Sequence, residues 1–406
     1  MANNINYAAV FNRILDEKFY IMPRTLWMEN TNPGIEWTGG KEIKIPYLNM
    51  DGLGDMQGYK APDGDLTLGY ETKELQWYRG RNFSIGRYDV DETNMALTVG
   101  NALRVFLAQH VVPEVDRLRI AKLAQSALGY GMTTVTAQAT ASITADNILD
   151  LLLDDIAKVQ DKIGEDEQLY IQISTMMKTL LQKSSKIQRY LNVRDFSIRS
   201  ATLKIEALNE QFMIGTPSSY MNSVVRVNDG RTAGQTVGGV TFTDLGPGVN
   251  WIIAARPVAD AVARPQITKV IDPDTNQEGE FWKIMFSIYH GMWTMDQKSD
   301  GVLVNIDTTL ATLTVSSVAG TVTAGDSVIT ASGASSDGVK LVWKAANGTA
   351  PTVTFGTTLK ATDGWDDLPA SGLINTTNGY KITVALVAVG SGLPLAAGNT
   401  TVVAKT

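Results

Sequence analysis

The feature that most constrains this 406-residue chain is the stretch from Asp89 to Gln125, which is compatible with one long helix. An acidic cluster opens it, and apolar residues recur through it at helical spacing. A helix of this length is roughly 50 Å long, about three times the average for globular proteins. Such a rod crosses several packing surfaces, and Pro113 predicts a kink or an early end.

The apolar residues of the rod advance in steps of four, which overshoot the 3.6-residue repeat by roughly 40° each time. The apolar stripe therefore winds around the helix instead of forming one seam. Val111 lies on the stripe, so we expect Val111→Asp to be severe. The stripe consists of Met95, Val99, Leu103, Leu107, Val111, Val115 and Leu118.

Two extended segments before the rod predict a long β-hairpin. Residues 41–48 (KEIKIPYL) are typical of a strand, residues 49–65 form a tip with four glycines, and residues 66–91 are again extended. Fifteen residues per arm project about 50 Å. Because an isolated two-stranded ribbon is marginally stable in water, we expect the hairpin to lie on another surface, such as a second subunit.

The remainder of residues 1–307 mixes helices and strands, which indicates an α+β fold. Periodicity predicts a helix from Ile148 to Ile163, a second over 176–191, and a short one over 257–265 (PVADAVARP). Strands are predicted at QLYIQIST, EQFMIGTP, VNWIIAARP and FWKIMFSIYHGMW.

The composition changes at Asp307, because residues 308–406 contain no Met, Arg, Glu or His. Short β-runs separated by turn residues predict an all-β sandwich of about 100 residues. Such a domain has its own core, so we expect it to fold alone, and a chain that stops at Asp307 to assemble. The runs are LTVSSV, DSVITAS, VKLVWKA, PTVTF, YKITVALVAV and TTVVAK.

Three residues of this domain fit an immunoglobulin-like pattern. Trp343 lies where that fold buries a tryptophan, Tyr380 resembles the tyrosine corner, and Ile382 stands at the position of a disulfide cysteine.

The turn ATDGWDDLPASG places Trp365 beside Asp363, Asp366 and Asp367. It has two interpretations: an aromatic face flanked by carboxylates that contacts a sugar, or a cover over one end of the sandwich core.

The composition argues against several classes of function. The net charge of −7 disfavours a general nucleic-acid-binding surface. The absence of cysteine excludes disulfides, cysteine zinc sites and cysteine nucleophiles, and His110 and His290 lie where structural roles are expected. The sequence has no membrane-length apolar run and no signal-peptide pattern at its start.

No catalytic, cofactor or metal site is predicted. GIEWTGGK and GLGDMQG miss the spacings of phosphate- and dinucleotide-binding loops, and residues 272–283 lack the glycine and glutamate of a calcium loop. The acidic pairs Asp154/Asp155 and Asp366/Asp367 are interpreted as solvated faces or turns.

The order of an N-terminal arm, a long hairpin, a kinked helix and an α+β domain resembles the major capsid protein of tailed bacteriophages, the Hong-Kong-97-type fold. The resemblance rests on RNFSIGRYDVDETNMA before the rod, and on WIIAARPVADAVARPQITKVIDPDTNQ, FWKIMFSIYHGMW and DGVLVN later in the chain. It covers about residues 1–307 and leaves the immunoglobulin-like sandwich, 308–406, as an addition.

The resemblance implies a shell domain over 1–307 whose parts function by contacting other copies. These parts would be an N-arm (1–35), an extended loop (41–91), a spine helix (91–127), an axial domain (about 144–255) and peripheral-domain strands (about 256–307). Some members of the family form lysine–asparagine cross-links, for which Lys60 is the candidate, although an ordinary solvated lysine is the simpler interpretation. Val111 and Pro113 are the other candidate assembly residues.

The resemblance also implies partners and a location. The chain would form hexamers and pentamers of itself in the virion, assembled in the bacterial cytoplasm. A separate scaffolding protein, a portal and a maturation protease would take part, with DNA packaged without specific binding. The surface-displayed sandwich would contact host polysaccharide. Alternatives are an encapsulin-like compartment, a bacterial surface adhesin and an unrecognised hydrolase.

Overall fold

The computed structural model describes residues 22–29, 42–56, 59, 62–92, 98–187, 207–208, 211–241, 246–321, 323–332 and 338–405. The chain divides into two compact units. The described part of the first unit lies within Met28–Leu107 and Asp260–Trp293, and that of the second within 22–27, Ala108–Ala259 and Thr294–Thr406.

The described helices are α1 (Arg87–Glu92), α2 (Val99–Phe106), α3 (Val112–Gly129), α4 (Ile148–Ile163) and α5 (Thr175–Lys183). The strands before Asp307 are β1 (Glu42–Met50), β2 (Leu66–Glu74), β3 (Trp77–Gly86), β4 (Val135–Ala137), β5 (Leu169–Ser174), β6 (Ala207–Leu208), β7 (Gln211–Thr216), β8 (Arg226–Val227), β9 (Val240–Thr241), β10 (Val249–Ala255), β11 (Ala259–Ile271), β12 (Phe281–Thr294) and β13 (Val302–Ile306). Those after it are β14 (Ala311–Thr312), β15 (Val315–Ala319), β16 (Asp326–Ala331), β17 (Val339–Ala346), β18 (Asp366–Asp367), β19 (Leu373–Asn375), β20 (Lys381–Ala388) and β21 (Pro394–Thr401).

The predicted hairpin is confirmed in the first unit. Strands β1 and β2 are antiparallel, with Glu42 opposite Glu74 and Met50 opposite Leu66. The extended run after it ends earlier than predicted: β3 leaves the hairpin to pair with β12, and the chain turns into α1 at Arg87. A small core of Ile85, Val90 and Ile284 holds α1 to this second sheet, whose order is β11-β12-β3.

The predicted rod is divided into segments. Residues 93–97, which include Met95, lie outside the described residues, and the helical backbone resumes at Val99, where the Thr98 hydroxyl accepts a hydrogen bond from the Asn101 amide at 3.2 Å. A π-helical turn, Leu107–Val111, separates α2 from α3. Proline has no amide hydrogen to donate, and a wider turn before it relieves the clash with the preceding turn. The predicted irregularity near Pro113 is therefore confirmed, as a π-turn.

The winding stripe describes only the first half of the helix. Stripe residues from Val99 to Val115 are half-buried, whereas the second half of α3 is buried around its circumference. The buried residues of this half are Leu118, Arg119, Ile120, Ala121, Leu123, Ala124, Gln125, Ala127 and Leu128. A helix buried on all sides lies inside a body of protein and not on its surface.

The second unit is built on a six-stranded mixed sheet of order β4-β13-β10-β5-β7-β6. The predicted strands at β5, β7 and β10 and the helix α4 are confirmed. The helix over 257–265 is wrong: a short 3-10 turn, Arg256–Val258, leads directly into β11. Strand β13, predicted among the peripheral-domain strands, pairs with β10 in this sheet.

Asp155 corrects the solvated interpretation of the pair Asp154/Asp155, because it is 1% exposed. Its Oδ2 accepts hydrogen bonds from Trp251 Nε1 at 3.0 Å and Asn305 Nδ2 at 3.1 Å. Its Oδ1 accepts hydrogen bonds from Thr136 Oγ1 at 3.0 Å and Lys158 Nζ at 2.9 Å. A buried carboxylate with this many donors ties α4 to three strands of the sheet.

The residues after Asp307 form the predicted all-β sandwich from two sheets, of orders β14-β21-β20-β17-β18 and β15-β16-β19. Two predicted strands are misplaced: residues 351–354 of PTVTF are not in a strand, and the last strand begins at Pro394. Ile382, at the position of the disulfide cysteine, is fully buried, whereas Trp343 and Tyr380 are only half-buried. The immunoglobulin-like assignment stays a prediction.

Candidate assembly surface

The β1–β2 hairpin presents an apolar face. Residues directly opposite each other on antiparallel strands project to the same side, and Leu48 lies opposite Leu68 while Met50 lies opposite Leu66. Leu48 and Leu68 are 51% and 56% exposed. Contiguous exposed apolar surface marks interaction sites. The hairpin apolar face consists of Pro46, Leu48, Met50, Leu66, Leu68 and Tyr70.

The other side of the hairpin is more enclosed. Tyr47 lies opposite Gly69, and its ring covers the glycine so closely that a Cβ on Gly69 would collide with it. The aromatic ring takes the place of the missing cross-strand side chain, which explains why a glycine is tolerated in the middle of β2. The apolar face is therefore the side of the ribbon left open.

The hairpin tip is closed by its two ends. The Asp51 amide donates to the Asp65 carbonyl at 3.1 Å, and the Asp65 amide donates to Asp51 Oδ2 at 2.8 Å. Beyond this closure Leu53, Met56 and Tyr59 are exposed. Lys60, the cross-linking candidate, lies outside the described residues.

The described end of the N-terminal segment is held on α3 by Asp116. The Arg24 amide donates to Asp116 Oδ2 at 2.8 Å, and the Thr25 hydroxyl donates to Oδ1 at 2.6 Å. Arg119 Nη1 in turn donates to the Thr25 hydroxyl at 3.3 Å. Burial raises the pKa of the Asp116 carboxyl, against the opposing effect of the hydrogen bonds from Thr25 and Arg24 and of the Arg119 charge. The carboxylate therefore anchors residues 24–25 on the helix.

Aromatic contacts continue this attachment. The ring of Trp27 stacks on Tyr170 of β5 with centroids 4.8 Å apart and planes 5° apart, and Tyr170 contacts Phe212 of β7 at 5.5 Å. Further along α3, the guanidinium of Arg117 lies 4.4 Å from the ring centroid of Tyr220. Residues 24–27 are thus held on α3 and β5 of the same unit by both hydrogen bonds and ring stacking.

The predicted assembly residues Val111 and Pro113 are half-buried on either side of the start of α3. The structure places both residues at the π-turn that precedes α3. Their part in assembly stays a prediction.

Trp365 is buried, which contradicts the sugar-contact interpretation. It is 6% exposed and packs with Val342, Leu359 and Val387 in a core cluster of the sandwich. A stacking ring must present a face to its ligand, so the alternative of a core cover is the one the structure supports.

The three aspartates around Trp365 remain exposed: Asp363, Asp366 and Asp367. Asp367 forms an ion pair of 2.7 Å with Lys340. The solvated interpretation of the pair Asp366/Asp367 is confirmed.

The described residues contain no group of three or more His, Cys, Asp or Glu side chains placed to hold a metal ion. None of the helices in the described part of the chain is both long and apolar enough to cross a membrane. His290 is buried in β12 beside Trp77, with ring centroids 5.3 Å apart, and His110 is exposed at the end of the π-turn.

Sequence reasoning missed Asp116. Its position between Val115 and Leu118, two residues of the apolar stripe, was the available signal, because a carboxylate buried there needs donors from elsewhere in the chain.

Known structures share this architecture. The sequence matches no protein-family model and no curated protein. A structure titled "Capsid structure of the Cyanophage P-SCSP1u" is similar over 74% of this chain and 92% of its own, with 13% identity and a TM-score of 0.52. The fold is that of a phage capsid subunit. A structure from Mycobacterium phage Che8 is similar over 75% of this chain and 98% of its own, with 12% identity and a TM-score of 0.51.

These similarities confirm the predicted Hong-Kong-97-type fold. About a quarter of this chain has no counterpart in either structure, whereas nearly all of each phage chain is covered.

Proposed function

We propose that this chain is the major capsid protein of a tailed bacteriophage, whose copies assemble into the icosahedral head shell around the double-stranded DNA genome. The observation that carries the proposal is the shared fold, which covers more than nine-tenths of a capsid chain. The hairpin supports it independently, because its apolar face is open to a second protein surface.

The roles of the parts follow from this proposal. The hairpin of β1 and β2 is the extended loop that lies over a neighbouring subunit, and α2 with α3 is the spine helix. The six-stranded sheet forms much of the axial domain, with subunits arranged as hexamers and pentamers. The N-arm segment is fixed at Asp116 on the spine.

The proposed partners follow from the same reasoning. A separate scaffolding protein, a portal and a maturation protease take part in assembly in the bacterial cytoplasm, and the virion is the final location. The acidic net charge suits a shell that encloses DNA without gripping it. The sandwich is displayed on the shell, and any contact with host polysaccharide uses surfaces other than the buried ring of Trp365.

Electron microscopy of the expressed chain, alone and with a candidate scaffolding protein, tests the proposal. We expect closed, uniform shells whose formation depends on the scaffold. Soluble monomers in both preparations, with the protein folded, would contradict a shell function. Shells that close without a scaffold around a co-purified protein cargo would instead indicate an encapsulin-like compartment.

A further inference from the structure

The contacts of the C-terminal sandwich with the rest of its own unit suggest a role beyond display. The loop after β20, residues 389–392, lies against the end of α3. The Ser391 hydroxyl donates to the Leu128 carbonyl at 2.6 Å. The last carbonyls of a helix have no partner within the helix, so the sandwich supplies one of these carbonyls with a donor from outside the helix.

Carbonyls at the end of α3 also accept hydrogen bonds from the loop that follows the helix. The Thr134 hydroxyl donates to the Ala127 carbonyl at 2.6 Å, and the Gly131 amide donates to the Leu128 carbonyl at 3.2 Å. Leu128 therefore receives one donor from its own loop and one from the sandwich.

Two glycines allow the backbones to approach each other here. A Cβ on Gly390 would lie 2.9 Å from the Gly129 carbonyl oxygen, and a Cβ on Gly129 would lie 3.2 Å from the Val389 carbonyl oxygen. Beside them, a Cβ on Gly338 would lie 2.8 Å from Oε1 of Gln125, a buried side chain of α3. The loop 389–392 and the end of α3 are therefore in direct backbone contact.

Two further attachments fix the sandwich in the unit. Four residues, 307–310, separate β13 from β14 (310 − 306 = 4). Asp307 is pinned among them: its amide donates to the Gly248 carbonyl at 2.9 Å, and its Oδ1 accepts from the Thr309 amide at 3.0 Å. On another side, Arg226 Nη2 donates to the Ser332 carbonyl at 3.0 Å.

We propose that the C-terminal sandwich braces the spine helix, with loop 389–392 acting as an interdomain cap on the last turn of α3. The sandwich would brace the helix whether the shell encloses DNA or a protein cargo. It reverses the expectation that a chain stopped at Asp307 assembles normally, because that chain loses the cap and uncovers the end of a helix that is otherwise buried on all sides.

Hydrogen exchange on the full-length chain tests the brace with Gly390→Ala. Its matched control is Gly356→Ala, since both glycines have positive φ (+99° and +90°) but nothing lies within 4 Å of a Cβ on Gly356. We expect amides at the end of α3, residues 125–131, to exchange about tenfold faster in Gly390→Ala, the loss of roughly one net hydrogen bond. Amides of β17 and β20 should match the control.

Equal exchange at the end of α3 in the two variants would overturn the brace. If Gly390→Ala does not fold, Ser391→Ala provides the same test by deleting the donor hydroxyl, and Ser391→Thr should restore protection by returning it. Exchange at 125–131 that is unchanged in Ser391→Ala, or equally fast in Ser391→Thr, would also contradict the proposal.

Discussion

The double substitution Leu48→Ser/Leu68→Ser should raise the protein concentration needed for shell assembly. These leucines face each other at the centre of the hairpin apolar face, and each is about half exposed in the subunit. Complete burial of a leucine side chain stabilises by about 1.5–3 kcal/mol. Covering the exposed half therefore contributes roughly 1 kcal/mol per leucine.

The double variant then loses about 2 kcal/mol for each docked hairpin. Since about 1.4 kcal/mol corresponds to a tenfold change in an equilibrium constant, we expect the threshold concentration for assembly to rise roughly 25-fold. The fold of the subunit should change little, because the substitutions remove no buried hydrogen bond and exposed cross-strand pairs contribute at most about 1 kcal/mol.

Light scattering over a concentration series measures the threshold, and circular dichroism checks the fold. The matched control is Asn49→Ser/Thr67→Ser, a directly opposed and exposed pair on the other face of the same strands. If both double variants assemble at the wild-type threshold, the apolar face is not an assembly contact.

Five further substitutions and one titration test other parts of the structure. Asp116→Ala leaves the Arg24 amide and Thr25 hydroxyl without their acceptor; it should lower the free energy of unfolding by about 2 kcal/mol or more and speed proteolysis at Arg24. Trp365→Ala should cost about 3–5 kcal/mol by opening a cavity, measured by chemical unfolding. Val111→Asp should reduce assembly, whereas Val111→Thr, of similar volume and without charge, should reduce it far less. Hydrogen bonds from the Thr232 hydroxyl and the Arg231 and Thr232 amides lower the pKa of Asp229 to about 2. Its stabilisation is therefore complete above pH 3.8 and lost as pH falls towards 2; NMR titration measures the pKa, and Thr232→Val should raise it.

Contradictory results are equally specific for these predictions. An Asp116→Ala protein with unchanged stability and proteolysis would show that residues 24–25 are not anchored by the carboxylate. A Trp365→Ala protein that keeps its stability would reopen the surface interpretation of that ring. If Val111→Asp assembles as well as Val111→Thr, the π-turn is not an assembly contact. A pKa of Asp229 at the ordinary value would show that the carboxylate does not accept the hydrogen bonds described.

The sequence predicted those elements whose signal is local. The hairpin follows from β-runs around a glycine-rich tip, and α4 follows from apolar residues at helical spacing between Ile148 and Ile163. The segment 257–265 was mistaken for a helix because short apolar periods are ambiguous, and pairing with the neighbouring β12 decides its conformation.

Features that depend on contacts between distant parts of the chain could not be predicted from the sequence. Whether Asp155 is solvated depends on donors from Trp251 and Asn305, about 100 and 150 residues away. Trp365 looked as suitable for a sugar contact as for a core, and packing with Val387 decides between them. The candidate assembly surface could not be predicted from the sequence either. The apolar face of the hairpin depends on the register of β1 and β2, which places Leu48 opposite Leu68.

We infer that the subunit functions through its β1–β2 hairpin, which docks on another copy. A cryo-electron microscopy map of the assembled particle tests it most directly. We expect the face that contains Leu48 and Leu68 to be covered by a neighbouring subunit throughout the shell. A closed shell in which this face is open to solvent, or folded onto its own subunit, would show that the hairpin does not dock on a neighbour.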